Sequence, residues 1–348
     1  MIWRWFKRGL LGLLVLVLGL LAPVGYVELA CRGADAGRAY TSPLPAEHRR
    51  SEARTLMTYP EWHIVHAYDD YAEVISNGDP HHFGFLQAIA SFWTTTCALT
   101  EASASHGGVD GQTKQMVYVI GVSFTAELLA KAAYEETIGR LFAMMRGATR
   151  APLDALSAEQ ARGYAAFLQQ IPWYRWDFRA DRAALDAAAT NALRDRERRI
   201  ALGLEYGAKA AYAEVIASAV AATGADALRL RMIVSGVTQE VLTAQDDVQI
   251  IAARADGLEI ETPRYRQLTG YLADWASAGA AFVDIAGNDD ILLTATSSSP
   301  THPGALASFA RQGYGDYRHL ILLKVSDLGE TLRNMAAQGL TLEHVHDY

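Results

Sequence analysis

His63, His66 and Asp70 stand at i, i+3 and i+7, with Glu73 beside them. On a helix these three fall within about 60° of one another. Imidazole and carboxylate are compatible ligands for a divalent metal, so the stripe is a candidate metal-binding set. It also fits the polar, solvated side of an amphipathic helix, because Ile64, Val65, Tyr68, Tyr71, Ala72 and Ile75 supply an apolar face. A second histidine pair, His344 and His346, alternates near the end of the chain. On a strand both would share a face. A metal would need a third ligand there, and His319 is the candidate by type.

Two Glu–Lys pairs repeat one spacing. Glu127 precedes Lys131 by four residues, and Glu205 precedes Lys209 by four. On an exposed helix this order stabilises by only about 0.2–0.5 kcal/mol. Buried, such pairs cost free energy and shift their pKa values, as acid–base groups in active sites do. Glu127, Lys131, Glu205 and Lys209 are therefore the candidate catalytic residues. Gly203, Gly207 and Ala211 form a small-residue ridge beside Glu205 that admits a close helix neighbour. Glu61 is accounted for as the far end of a capping box opened by Thr58.

Several chemistries are excluded. The chain carries no Walker A loop, no G-x-G-x-x-G, no G-x-S-x-G and no H-E-x-x-H, and no cofactor is implied. With 31 Lys+Arg against 39 Asp+Glu, the net charge of −8 leaves no basic footprint for a nucleic acid. The 51% hydrophobic content is ample for a buried core. Two cysteines, Cys31 and Cys97, permit one disulfide and rule out a Cys-only zinc site.

The strongest positional signal lies at the start. Gly9 to Val27 is free of charge over nineteen residues, about 28 Å of helix and enough for a bilayer core. Arg4, Lys7 and Arg8 precede it, whereas Glu28, Arg32, Asp35 and Arg38 nearly cancel after it. The positive-inside rule puts the N-terminus in the cytoplasm and the body outside. A cleaved signal peptide is the rival, but the run is long for one and lacks a small-x-small site. Phe83–Thr100 and Gln115–Ala126 are also uncharged and read better as buried helices than as spans.

Helices are expected over 58–77, 83–103, 113–146, 157–170 and 179–222. Within the last, Arg194–Arg199 reads as a solvated face. Pro172–Phe178 concentrates Trp173, Tyr174, Trp176 and Phe178, either a headgroup-level belt or a plug between domains. From Leu228 onward, short β-rich runs alternate with helices. Leu272, Ala276, Gly279 and Phe282 reappear sixty residues later as Leu332, Ala336, Gly339 and Leu342. Two strand–helix–strand units of this kind predict a ferredoxin-like sandwich, with 297–315 as a long loop inside it.

The sequence thus predicts an α+β protein: an anchor over 1–30, a linker over 31–57, a helical membrane-proximal domain over 58–223 and a ferredoxin-like domain over 228–348. The expected function is that of a membrane-anchored envelope protein, a non-catalytic accessory that holds a lipid or a partner protein at the bilayer. The alternative is a membrane-bound enzyme acting on a lipid or other apolar substrate, metal-dependent if the histidines ligate. The expected location is the inner or plasma membrane, with one N-terminal span and an extracytoplasmic body.

Overall fold

The computed structural model describes residues 2–34, 40–223 and 228–346. Asp35 and Arg38 of the linker, the expected domain boundary at 224–227 and the last two residues lie outside them.

Helix α1 (Ile2–Ala30) carries the Leu/Val run. Leu10, Leu14, Leu18 and Leu21 are exposed, whereas Val27 and Cys31 are buried. The end of α1 is fastened to the body. Cys31 forms a disulfide with Cys97, and Glu28 accepts hydrogen bonds from Lys114 and Tyr118. Two stretches, Lys7–Ala30 and Gly111–Arg146, are long and apolar enough to cross a membrane. The apolar part of the first is 6% buried and that of the second 28%, so only the second contributes substantially to a core.

The helices that follow are α2 (Glu52–Leu56), α3 (Tyr59–Asn77), α4 (Phe85–Ser103), α5 (Gly111–Tyr134), α6 (Arg140–Arg146), α7 (Pro152–Leu168), α8 (Phe178–Ala188) and α9 (Leu193–Thr223). Asp110 caps α5 by accepting from the N–H groups of Gln112 and Thr113. A π-helical turn, Glu135–Gly139, joins α5 to α6. The predicted Thr58 capping box does not form, because the Thr58 hydroxyl donates to Thr55 O instead. Helix α7 starts at Pro152, before the predicted Ser157, since Pro suits the first helical turn. The predicted helix over 179–222 is broken after Ala188, and Asp195 accepts from the Thr190 N–H and hydroxyl at the start of α9.

The expected solvated face at Arg194–Arg199 is wrong. Arg194, Asp195, Glu197 and Arg198 are buried. Arg198 donates to Glu135 of the π turn and to Glu197, and Arg194 donates to Asp154 and Glu197. Mixed charges in sequence look solvated, but complementary forks across a helix contact can pair with one another and be buried together.

The β-rich part contains eight strands: β1 (Arg229–Ser235), β2 (Gln249–Arg254), β3 (Gly257–Pro263), β4 (Ala281–Ile285), β5 (Asp290–Ser297), β6 (Ala305–Ala310), β7 (Tyr317–Lys324) and β8 (Thr341–His346). They form two antiparallel sheets, in the orders β2-β3-β1-β4 and β6-β7-β5-β8. Helix α10 (Gln239–Thr243) lies between β1 and β2, α11 (Arg266–Ser277) precedes β4, and α12 (Val325–Asn334) precedes β8. The fold is α+β, and its strands divide between two sheets rather than forming one. The first half runs β-α-β-β-α-β, with the short α10 after β1, and the second runs β-β-β-α-β; each has its own four-stranded sheet, and the two share one order. The sixty-residue repeat was the trace of this duplication. The segment over 297–315, expected as a loop, contains β6, whose Ala/Ser composition lacks the usual β-branched signature.

Helices α11 and α12 pack side by side, α12 against β4 and α11 against β8. Met232, Phe282, Leu293, Val345, Trp275 and Leu328 lie in the shared core between the two units. The second sheet is covered on its other face as well. Leu292 and Leu320 pack there with Leu56, Met57, Tyr59, Trp62 and Leu99, so helical and β-rich parts bury one common core. That contact positions the site.

Candidate functional site

The polar stripe of α3 faces the second sheet rather than water. His63, His66 and Asp70 are 3%, 6% and 6% exposed, which overturns the solvated-face expectation. An amphipathic helix can bury its polar side when the surface it meets is equally polar, and here it is. Opposite stand Arg318 of β7 and Glu343, His344 and His346 of β8. The two histidine sets, far apart in sequence, meet.

Strand β8 is shaped for this. Thr294 pairs with His344 and Ala295 with Leu342, so Glu343 is an extra residue bulged from the ladder. A bulge re-aims side chains at a sheet edge. Arg318 grips Glu343 with two charge-assisted bonds, Nε–Oε2 at 2.5 Å and Nη2–Oε1 at 2.6 Å. Its Nη2 lies 3.7 Å from Asp70 Oδ1. Asp70 Oδ2 accepts from the Gln312 N–H at 3.0 Å. That turn comes close because Gly313, at φ +85°, meets Glu73 where a Cβ would crowd it. Trp62 stacks on His344 with centroids 3.5 Å apart, and the rings of His344 and His346 lie 4.9 Å apart.

Burial and the nearby Arg318 charge push His63 down to about 3 and hold His66 well below the usual range. Burial and neighbouring imidazoles do the same to His344, and burial takes His346 to about 3. All four are neutral at pH 7. Burial raises Asp70 to about 6 against the opposing pull of Arg318. Burial also works to raise Glu343, but the Arg318 charge and hydrogen bonds outweigh it and keep Glu343 ionised.

The cluster is under-satisfied. His66 Nε2, His344 Nε2, both ring nitrogens of His346 and Asp70 Oδ1 are buried without a hydrogen-bond partner. Buried polar atoms normally find partners, and exceptions call for a bound water or ion. The nearest approach is His66 Nε2 to Glu343 Oε2 at 3.6 Å. His63 differs, since its nitrogens reach Tyr59 OH at 3.4 Å and Ser91 Oγ at 3.2 Å.

The Glu–Lys candidates also converge across the α5–α9 contact, and the expected Glu205–Lys209 pair forms along α9 as well. Lys131 Nζ lies 2.9 Å from Glu205 Oε1, and Lys209 Nζ lies 2.9 Å from Glu127 Oε1 and 3.1 Å from Glu205 Oε1. The Tyr68 hydroxyl donates to Glu127 at 2.7 Å. Burial works against both carboxylates, but the two ammonium charges win and take Glu205 down to about 2. Lys209, which burial alone would depress, is held well up by Glu127 and its neighbours. Lys131, Glu205 and Lys209, with Tyr71, Tyr164 and Tyr206, border a cavity of about 30 Å³, room for roughly one or two waters. Trp176 and Phe178 help to close it. The Pro172–Phe178 aromatics therefore lid the helical bundle, with Phe178 packed on Tyr164 and Tyr206.

His319, the expected third ligand for His344 and His346, is not near them. It bonds Ser297 Oγ at 2.8 Å and Ser308 Oγ at 2.9 Å. His66 occupies the expected place. Sequence reading missed Arg318, although a lone cation opening the Leu320–Leu323 apolar run was a usable signal. It also missed His106, whose nitrogens lie 2.7 Å from Glu52 and 3.4 Å from Asp290. Its bond to Glu52, outweighing burial, raises the His106 pKa. Nothing in sequence joins those three residues.

No family model matches the chain, and no curated protein or solved structure matches it either.

Proposed function

We propose that this is a membrane-anchored envelope protein with an extracytoplasmic body, a non-catalytic accessory that holds a lipid or a partner protein at the bilayer. The observation that carries the reading is how α1 ends. Its final turns are built into the body through buried Val27 and the Cys31–Cys97 disulfide. Removing α1 as a signal would cut into that packing. A disulfide belongs to an oxidising compartment, which agrees with the orientation set by Arg4, Lys7 and Arg8. The quartet supports a binding role over a catalytic one. Its charges neutralise one another and its cavity is water-sized. Leu129, Ile138, Leu141 and Met144 along α5–α6, with Ile200 and Leu204 of α9, are exposed and offer apolar area to a lipid or partner.

The test has two parts. The purified protein should begin at or next to Met1 and resist alkaline extraction, and a reporter fused after Tyr348 should be active outside the cytoplasm. A mature N-terminus near Cys31, or a reporter active only inside, would refute the anchor or its orientation. Met144→Asp with Leu204→Asp should reduce recovery of bound lipid or cross-linked partner while leaving Tm unchanged. The rival reading, a membrane-bound enzyme acting on an apolar substrate, draws its support from the unpartnered histidine nitrogens.

A further inference from the structure

We propose that His66, His344 and His346 bind one divalent transition-metal ion of the zinc, cobalt or nickel class. The assignment does not rest on the binding reading above, since it names an ion and not a reaction.

The ligands come from two sides of one interface, His66 from α3 and the other two from β8. All three are more than nine-tenths buried. Each presents an unpartnered ring nitrogen: His66 Nε2, His344 Nε2 and either nitrogen of His346. A buried neutral imidazole with a free lone pair is the form a metal requires. His344 also has the outer-shell partner expected of a ligand. Its Nδ1 lies 2.9 Å from Thr269 Oγ1 on α11, and the tautomer that donates there leaves Nε2 free to coordinate. The 4.9 Å between the His344 and His346 centroids and their 81° interplanar angle suit two neighbouring ligands of one ion. Three imidazoles with a fourth position for water or a carboxylate is a known zinc arrangement.

Charge is the objection to meet. Arg318 and Arg311 are near, but Arg318 is spent on Glu343 and Asp70, and Arg311 reaches Asp69, Asp70, Asp316 and Glu343. Glu343 Oε2 lies 3.6 Å from His66 Nε2 and sets a negative charge against the ion. The ligand atoms of Glu52, His106 and Asp290 all lie within 4.8 Å of one another, whereas those of the histidine trio do not. Binding therefore requires ring rotation to gather them, and His346 can turn without losing a hydrogen bond. His63 stays outside the set because both its nitrogens are engaged.

The full chain, purified in detergent and stripped with a chelator, is titrated with ZnCl₂ and with CoCl₂. One ion per chain is expected, with Co²⁺ giving visible d–d bands of a four-coordinate nitrogen-rich site. His66→Gln and His346→Gln should each weaken Zn²⁺ binding at least about 100-fold, and Thr269→Val about 10-fold. His319→Gln and Glu52→Gln should leave it unchanged. Because the histidine variants could misfold, the wild-type titration decides first. Uptake below about 0.1 ion per folded chain overturns the proposal. So does wild-type affinity in His346→Gln with native circular dichroism, or loss of the ion in Glu52→Gln alone, which would move the site to His106.

Discussion

The molecule holds two polar clusters of opposite character. Between α5 and α9, two carboxylates and two ammonium groups saturate one another and Tyr68 completes the set. Between α3 and β8, Arg318 pairs with Glu343, yet three imidazoles keep nitrogens without a hydrogen-bond partner. Ion pairs of the first kind hold helices in register. Neutral, buried imidazole nitrogens without partners cost free energy and retain their capacity for a ligand. A perturbed pKa is common to both. Leftover coordinating capacity belongs to one.

The largest effect should come from Arg318, the buried cation that pairs with Glu343 inside the histidine cluster. Arg318→Met strands Glu343 and Asp70 in the interface and should cost roughly 3–5 kcal/mol, measured by urea unfolding in detergent. A loss below about 1 kcal/mol, the range of exposed bridges, would mean that α3 and β8 do not enclose these groups.

Glu205→Gln ranks next. Glu205 serves both Lys131 and Lys209, so its loss should cost roughly 3 kcal/mol, the low end for buried pairs because some exposure remains. Glu127→Gln should cost less, since Lys209 keeps Glu205. Equal and small losses would place both glutamates at the surface and erase the contrast between the clusters.

Acid separates the clusters without mutation. His63 and His346 titrate near 3 when folded and near 6.5 when unfolded, so the unfolded chain binds more protons between those values. Their contribution is complete above pH 6.5 and falls on acidification by about 1.4 kcal/mol per pH unit for each histidine. Asp70 runs the other way. Raised to about 6, its contribution is present below 3.8, is lost as pH rises through 6, and offsets part of that slope. Glu205, lowered to about 2, gives stability that is present above about 4.5 and lost as pH falls towards 2. Metal-free protein should therefore begin to weaken near pH 6, well before the quartet responds. In His346→Gln the slope between pH 6.5 and 4.5 should shrink. An unchanged slope would assign the acid response elsewhere.

The smallest effect calibrates the rest. Arg140→Ala removes an exposed i, i+4 bridge to Glu136, with side chains 55% and 46% exposed. It should shift stability by about 0.3–0.5 kcal/mol. A loss comparable to that of Glu205→Gln would show that burial is not what distinguishes the quartet.

Much of the framework was legible in sequence because it is local. The apolar run of α1, the limits of α3 and α4 and the sixty-residue repeat all depend on patterns within a few turns. The convergence of Glu127, Lys131, Glu205 and Lys209 was half legible: the matched spacing marked them, but only the antiparallel packing of α5 on α9 crosses the pairs. The histidine cluster was legible as two fragments and illegible as a whole. Periodicity places His63, His66 and Asp70 on one face without saying what that face meets. The same gap explains the error at Arg194–Arg199. The second unit hid because β6 is small-residue-rich and β5 leads directly to β6, with no counterpart of α10 between them, so the repeat registered only at its helix and last strand.

The placement of β8 has a consequence in time. His66 leaves the ribosome roughly 280 residues before His346, and at about 5–20 residues per second that is a wait of tens of seconds. Throughout it α3 has synthesised its polar stripe but not the surface that covers it, and the histidines stay open to water and protons. The interface closes only when β8 has been made. A chain stopped before Glu343 would keep its first unit and most of its helices and still lack the site. Strand β8 thus ties the histidine cluster to the second unit, because no fragment that ends before it can assemble both sides of the interface.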